Sequence, residues 1–216
     1  MTKILVKGAL GKMGMRIIAL AHADKAFHVV ETIDAADVMI DFSHPDVTLS
    51  NLELAAKAKK GAVVGTTGHT EEQRREIEKI AHHLPVVFSP NMSVGVNVMW
   101  KIIEEAAKAL GAEFKVHVSE IHHLRKLDRP SGTAKEITRI LADTLKIQSN
   151  KIPIQSIREG EVVGIHKTVF ESPGEFLEIL HNAKSRDTFA SGALRAARWV
   201  IGKPNGLYSM RDVLGI

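Results

Sequence analysis

KILVKGALGKMGMRIIALAHA, residues 3–23, decides the fold. A short apolar run stops at Gly8, and beyond it Met13, Ile17, Leu20 and Ala21 recur at the spacing of one helical face. Strand, glycine turn and helix in that order open an α/β unit. At the carboxyl end of such a strand the helix N-terminus offers N–H groups and a positive dipole to an anion. Gly8, Gly11 and Gly14 stand there, spaced GxxGxxG rather than the commoner GxGxxG. The tight turn and close approach to a pyrophosphate survive that spacing, although glycines that only turn a strand into a helix would look the same.

The alternation continues. FHVVETI (27–33) and DVMIDFS (37–43) read as strands, the second apolar enough to be covered on both faces. VTLSNLELAAKAKKG (47–61) reads as a helix closed by Gly61, and AVVGTTG (62–68) as a strand. TEEQRREIEKIAHHL (70–84) reads as a helix capped by Thr70, and PVVFSP (85–90) as a strand. These predict an α/β, Rossmann-like, doubly wound parallel sheet. After a helix over about 95–110, strand-like stretches at 113–121, 152–172 and 174–183 cluster around one helix at 133–146. That is a second, α+β unit with a mixed or antiparallel sheet. The last helix, 188–202, is expected to pack back on the opening domain. The predicted division is 1–93 with 187–216 for the dinucleotide, and 94–186 for the substrate.

Composition narrows the classes. The chain has 216 residues, 44% of them hydrophobic, enough for a packed core. No run approaches the roughly 18 apolar residues of a membrane span, and the first residues do not read as a signal peptide, so a cytoplasmic enzyme is expected. There is no cysteine, which excludes disulfides, thiolate metal sites and cysteine nucleophiles. The 29 Lys and Arg are scattered among 25 Asp and Glu, and aromatics are only 5%. This argues against a nucleic-acid partner and fits a protein that handles anionic small molecules.

A dinucleotide site usually adds an acid about 20 residues on to bind the adenosine ribose; Asp34 lies at that distance, with Glu31 the substitute. No Arg or Lys follows Asp34 directly, which leaves Lys12 and His44 as candidates for the 2′-phosphate of NADPH. NADH, or use of both cofactors, is expected.

A second chemistry-bearing stretch is EIHHLRKLDRPSGTA, 120–134. His122, His123 and Lys126 are expected in a loop after a strand, ahead of a helix opened by Ser131, Gly132 and Thr133 and anchored by Ile137, Ile140, Leu141 and Leu145. Histidine donates protons near neutral pH, lysine adds positive charge, and a helix N-terminus grips a carboxylate. The combination suits an acidic substrate that must be protonated; surface histidines ahead of an ordinary helix cap are the plain reading. Two adjacent histidines lack the spacing of a zinc pair and no third ligand is evident, so no metal is expected.

At this point the chain resembles the 4-hydroxy-tetrahydrodipicolinate (dihydrodipicolinate) reductases of diaminopimelate and lysine biosynthesis. The resemblance runs through VKGALGKMG, VMIDFSHP, VVGTTG, FSPNMSVGVNVM, EIHHLRKLDRPSGTA, SIREGEVVGIHKTVF and FASGALRAARWVIGKPNGLYSMRDVL. It implies His122 as general acid, with Lys126 as substrate-binding residue and second proton-donor candidate. It also implies His123, Ser131, Gly132 and Thr133 around a substrate carboxylate. For NADH or NADPH it implies the turn Gly8, Leu10, Gly11, Lys12, Met13 and Gly14, then Asp34 and His44, and around the nicotinamide Gly65, Thr66, Thr67, Pro90, Asn91 and Met92. A homotetramer built through the second domain is implied too. The chain departs from the family in a shortened segment before DVMIDFS, in His44 where Arg is frequent, and in Arg129 where Ala is usual.

Two other readings fit parts of this pattern. Semialdehyde dehydrogenases share the two-domain plan but need a cysteine nucleophile. A dinucleotide-binding sensor, or a decayed relative, would keep the glycine turn without turnover, against which the retention of both His122 and Lys126 argues.

Overall fold

Period-two alternation explains the first sheet. In the computed structural model, which describes residues 1–216, Ile4 and Val6 of β1 (Thr2–Lys7) enter one buried cluster and Leu5 enters another. In β3 (Val38–Asp41), Val38 and Ile40 join the first cluster and Met39 the second. Both faces are therefore covered, which is why these strands are apolar throughout. β2 (Phe27–Val30), β4 (Gly61–Val64), β5 (Pro85–Phe88) and β10 (Gly206–Tyr208) complete an all-parallel sheet in the order β10-β5-β4-β3-β1-β2.

α1 (Lys12–Ala23) and α6 (Asp187–Val200) cover one face through Ile17, Ala21, Ala193 and Leu194. α2 (Pro45–Lys57) and α3 (Glu71–Ala81) cover the other through Leu52 and Ile77. Each such isoleucine or leucine side chain contributes about 1.5–3 kcal/mol by leaving water, and each alanine less. Two compact units result, 1–94 with 186–216 and 95–185.

One expectation changes here, and two details are added. β2 passes to β3 through residues 31–37 with no helix, so alternation fails at that one crossover. Strands of four residues span only about 13 Å, and a short loop can make the return. Gly61 does not close α2: Lys59 takes the left-handed turn (φ 57°) and Gly61 begins β4. β10 and the short α7 (Met210–Leu214) were not read at all, because three residues ahead of a Ser-capped turn carry no periodicity. Thr70 does cap α3, as part of a capping box with Gln73.

In the second unit, α4 (Val94–Leu110) and α5 (Gly132–Leu145) pack on one face of a four-stranded sheet. Its strands are β6 (Lys115–His122), β7 (Ile154–Arg158), β8 (Gly164–Glu171) and β9 (Phe176–Ala183). The order is β7-β6-β8-β9, with β6–β7 parallel and the other pairs antiparallel, a mixed sheet as expected. The stretch 152–172, read as one strand-like segment, is two strands with Gly160 at positive φ between them.

Candidate active site

Parallel strands end at a common edge, so the first unit gathers its loops there: the glycine turn after β1, His44 after β3, Gly65 to Thr67 after β4, and Pro90 to Met92 after β5. The glycines are needed for space. Gly8 has φ +78°, and a Cβ on it would lie 2.3 Å from the Phe42 carbonyl oxygen; on Gly14 it would lie 2.1 Å from the Gly8 oxygen. The turn thus leaves a backbone-lined cradle at the start of α1, whose first turn holds no acid and whose cap makes no side-chain bond. Lys12 and Leu10 are exposed on it. Such a cradle fits a dinucleotide pyrophosphate.

Other members of the set are placed differently. Glu31 stands immediately past the carboxyl end of β2, whereas Asp34 lies farther along the return, which has reached the Lys3 carbonyl by Asp37. Both are exposed. His44 caps α2 by accepting from the Asp46 N–H and faces the Asp46 carboxylate at 3.3 Å. Met92 is a core residue at 1% exposure, so only its backbone is left to line a cofactor. Thr66 turns its hydroxyl inward to donate to Asp41 Oδ1 at 3.0 Å. Asp41, fully buried, also accepts from the Ser43 N–H and hydroxyl and from the Asn51 amide, tying the loops after β3 and β4 together. Sequence reading missed it, although an acid closing an apolar run was a usable signal.

The second unit supplies the charged chemistry. Residues 116, 118, 120 and 122 of β6 share the face toward α4 and α5: Val118 lies in the core with the partly buried Val116 packed against it, and Glu120 and His122 continue the same row. His122 is therefore a buried strand residue, 6% exposed, rather than a loop residue; the loop begins at His123. Opposite Glu120 across the ladders are His166 on β8 and Ser156 on β7, and opposite His122 is Arg158.

Glu120, with no exposed surface, accepts from the Ser131 N–H at 3.0 and 3.2 Å and from Arg158 Nη2 at 3.1 Å. Its Oε2 lies 3.4 Å from His122 Nδ1 and 3.7 Å from His166 Nε2. Arg158 also donates to the carbonyls of Lys126 (3.2 Å) and Asp128, so it holds the loop that carries Lys126. Ser131 caps α5 through the Ala134 N–H, as its position predicts, with Gly132 and Thr133 in the first turn. Lys126 pairs with Asp128 at 2.8 Å, and Arg129 is exposed.

Burial governs the charges. Burial pushes the Glu120 carboxyl up, but hydrogen bonds from Ser131, Ser156 and Arg158 outweigh it and keep the group below its ordinary range. Burial lowers His122 to about 4, against the opposing pull of Glu120 and with Lys126 and Arg158 adding to the fall. Burial, then the neighbouring His122, lowers His166 to about 3. An ionised carboxylate thus faces two neutral imidazoles.

Glu120, His122 and His166 bring their ligand atoms within 4.8 Å of one another, Glu120 and His166 being two groups that sequence alone did not supply. A cation there would compete with Arg158, already on Glu120, which counts against a metal. Glu120, Arg158 and His166 are the residues sequence reasoning missed. Polar residues on the buried face of a strand were the available signal.

A family profile described as dihydrodipicolinate reductase, C-terminus, matches residues 95–214, and one described as its N-terminus matches 31–92. A 4-hydroxy-tetrahydrodipicolinate reductase of Syntrophotalea carbinolica is 40% identical, and one of Geobacter sulfurreducens 38% identical, each aligned over the whole of both chains. The first alignment extends over 266 residues against the 216 of this chain, so this chain carries internal gaps relative to that protein. A dipicolinate-bound dihydrodipicolinate reductase from Paenisporosarcina superposes with a TM-score of 0.81 at 22% identity, covering 97% of each chain.

Proposed function

The chain belongs to the dihydrodipicolinate reductase family, and from that premise we propose that it reduces 4-hydroxy-tetrahydrodipicolinate to tetrahydrodipicolinate with His122 as proton donor. It is an NAD(P)H-dependent oxidoreductase of diaminopimelate and lysine biosynthesis. The observation that carries the proposal is the meeting of His122, Glu120, Arg158 and the Ser131-capped start of α5 at one end of one sheet. A proton donor there stands beside a helix N-terminus suited to a carboxylate.

In this reading residues 1–94 with 186–216 hold the dinucleotide and residues 95–185 the dicarboxylate. The nicotinamide, when bound, supplies the hydride. The backbone at Gly8, Gly11 and Gly14 seats the pyrophosphate, Glu31 takes the adenosine ribose in preference to Asp34, and Gly65 to Thr67 with Pro90 and Asn91 border the nicotinamide. His123 and the first turn of α5 hold one substrate carboxylate, and Lys126 exchanges Asp128 for another. His122 is neutral in the free protein; two nearby carboxylates raise it toward the protonated form it needs. Loss of the 4-hydroxyl as water gives a conjugated imine, hydride addition to that imine leaves an enamine, and His122 then gives its proton to the enamine carbon.

Lys12 and His44, both exposed, remain the groups for a 2′-phosphate, and use of both NADH and NADPH is the expectation they support. Exposed Phe176 and Leu180 on β9 support a homotetramer formed through this sheet. No helix is long and apolar enough to cross a membrane, and we place the enzyme in the cytoplasm.

The test is oxidation of NADH and NADPH, followed by absorbance, with substrate made in place by a dihydrodipicolinate synthase. Oxidation that depends on the synthase is expected with both cofactors. A folded, nucleotide-binding protein that oxidises neither would overturn the proposal in favour of a sensor or decayed relative.

A further inference from the structure

We propose that Glu120 is the positioning residue for the proton donor: its Oε2 accepts the Nδ1 proton of His122 and so commits Nε2, over Gly164, to the substrate. The inference rests on His122 being the donor.

Glu120 is held by three segments at once. The Ser131 N–H at the start of α5 and Arg158 at the end of β7 fix its carboxylate, while β6 carries its backbone. With those bonds made, Oε2 still faces His122 Nδ1 at 3.4 Å, and that buried nitrogen has no hydrogen-bond partner. A small ring rotation closes the gap to a charge-assisted bond. Gly164 makes room on the far side: a Cβ there would lie 3.0 Å from His122 Nε2. An imidazole whose Nδ1–H is engaged by a carboxylate is fixed in tautomer and orientation, and its cation is stabilised.

The proton step then balances. The Nε2–H bond of the cationic imidazole breaks, the enamine π electrons form the new C–H bond, and His122 returns to the neutral Nδ1–H form while Glu120 stays ionised. Other charged or titratable groups facing His122 are Lys126 and Asp128 of the following loop, Arg158 of β7 and His166 of β8, with His181 of β9 acting on His166. Of these, Glu120 is the largest influence favouring the cation, against the larger opposing effect of burial.

A general acid works in its protonated form, so kcat falls as pH rises through its pKa. Removing the Glu120 charge disfavours the cation and must move that fall to lower pH. In Glu120→Gln we expect kcat at least about tenfold lower, the falling limb displaced down by about one pH unit or more, and KM for the dicarboxylate within about threefold of normal. Glu120→Asp should recover part of the rate and of the displacement. A lower kcat with an unmoved limb would mean that Glu120 only supports the fold, and the proposal fails. Should the glutamine variant not fold, nitrogen NMR of the unmodified protein decides: the Nδ1–H tautomer of His122 supports the assignment and the Nε2–H tautomer overturns it. Normal turnover in His122→Gln overturns the donor reading itself, and the proposal with it, by a readout separate from the pH limb.

Discussion

Under the proposed function the two units would meet anions by opposite means. At Gly8, Gly11 and Gly14 the first unit leaves out side chains, so that backbone and helix dipole face the cofactor in that reading; at Glu120, His122 and Arg158 the second packs ionisable side chains where water is excluded. The first device is local, spanning one strand and one turn. The second is assembled from β6, β7, β8 and the start of α5, residues up to 46 positions apart. Steric space therefore limits the one and electrostatic placement the other, and substitutions should separate them.

The largest expected effect belongs to the side-chain site. His122→Gln should lower kcat by roughly 10²–10⁴-fold with little change in KM for the dicarboxylate. Steady-state kinetics check it, and a KM effect without a kcat effect would make His122 a binding residue instead. The backbone site should respond the other way round. Gly8→Ala places a methyl on a residue at φ +78°, 2.3 Å from a carbonyl, and should cost about 2–4 kcal/mol of stability by thermal or urea unfolding, with KM for NADH rising. Unaltered stability there would show that the turn moves freely and that the contrast is overstated.

A smaller effect sharpens the cofactor side. Glu31→Ala should raise KM for NADH by about tenfold or more, as one lost charged hydrogen bond of about 1.5–3 kcal/mol implies, and Asp34→Ala should raise it less. The reverse order would restore Asp34 as the ribose ligand. Smallest is Thr70→Ala, which breaks the α3 capping box away from both devices and should cost about 1 kcal/mol of stability with kinetics unchanged.

The same distinction explains what the sequence revealed. Runs such as 3–7 and 37–43 are short, apolar and bounded by polar or turn-forming residues, so the parallel sheet, the capped α3 and the strand clustering of the second sheet were readable locally. The helix-free return over 31–37 was readable too, since the strand readings at 27–33 and 37–43 leave no room for a crossover helix; only the end of β2, at Val30, fell short of its reading. His122 and Lys126 were singled out by their chemistry ahead of a helix start, their roles being implied by the resemblance, and Ser131 was one of two capping candidates with Thr133. Glu120 sat inside the same quoted stretch yet passed unnoticed, since its partners Arg158 and His166 are brought to it only by strand pairing. Met92 shows the converse: a residue of the right motif whose side chain the core has already claimed.

One feature of the chain path bears on synthesis. The first unit is interrupted by the second and completed by residues 186–216, whose α6 covers one face of a sheet built mostly from residues 2–88. On the ribosome only α1 covers that face while residues 95–185 are made, so Val38 and Val63 wait for the α6 residues Ala193 and Leu194 to arrive. The second unit, being continuous, can fold first. Chaperone dependence during translation should then follow the delay before α6 emerges, and a circular permutation that places 186–216 ahead of residue 1 should shorten it.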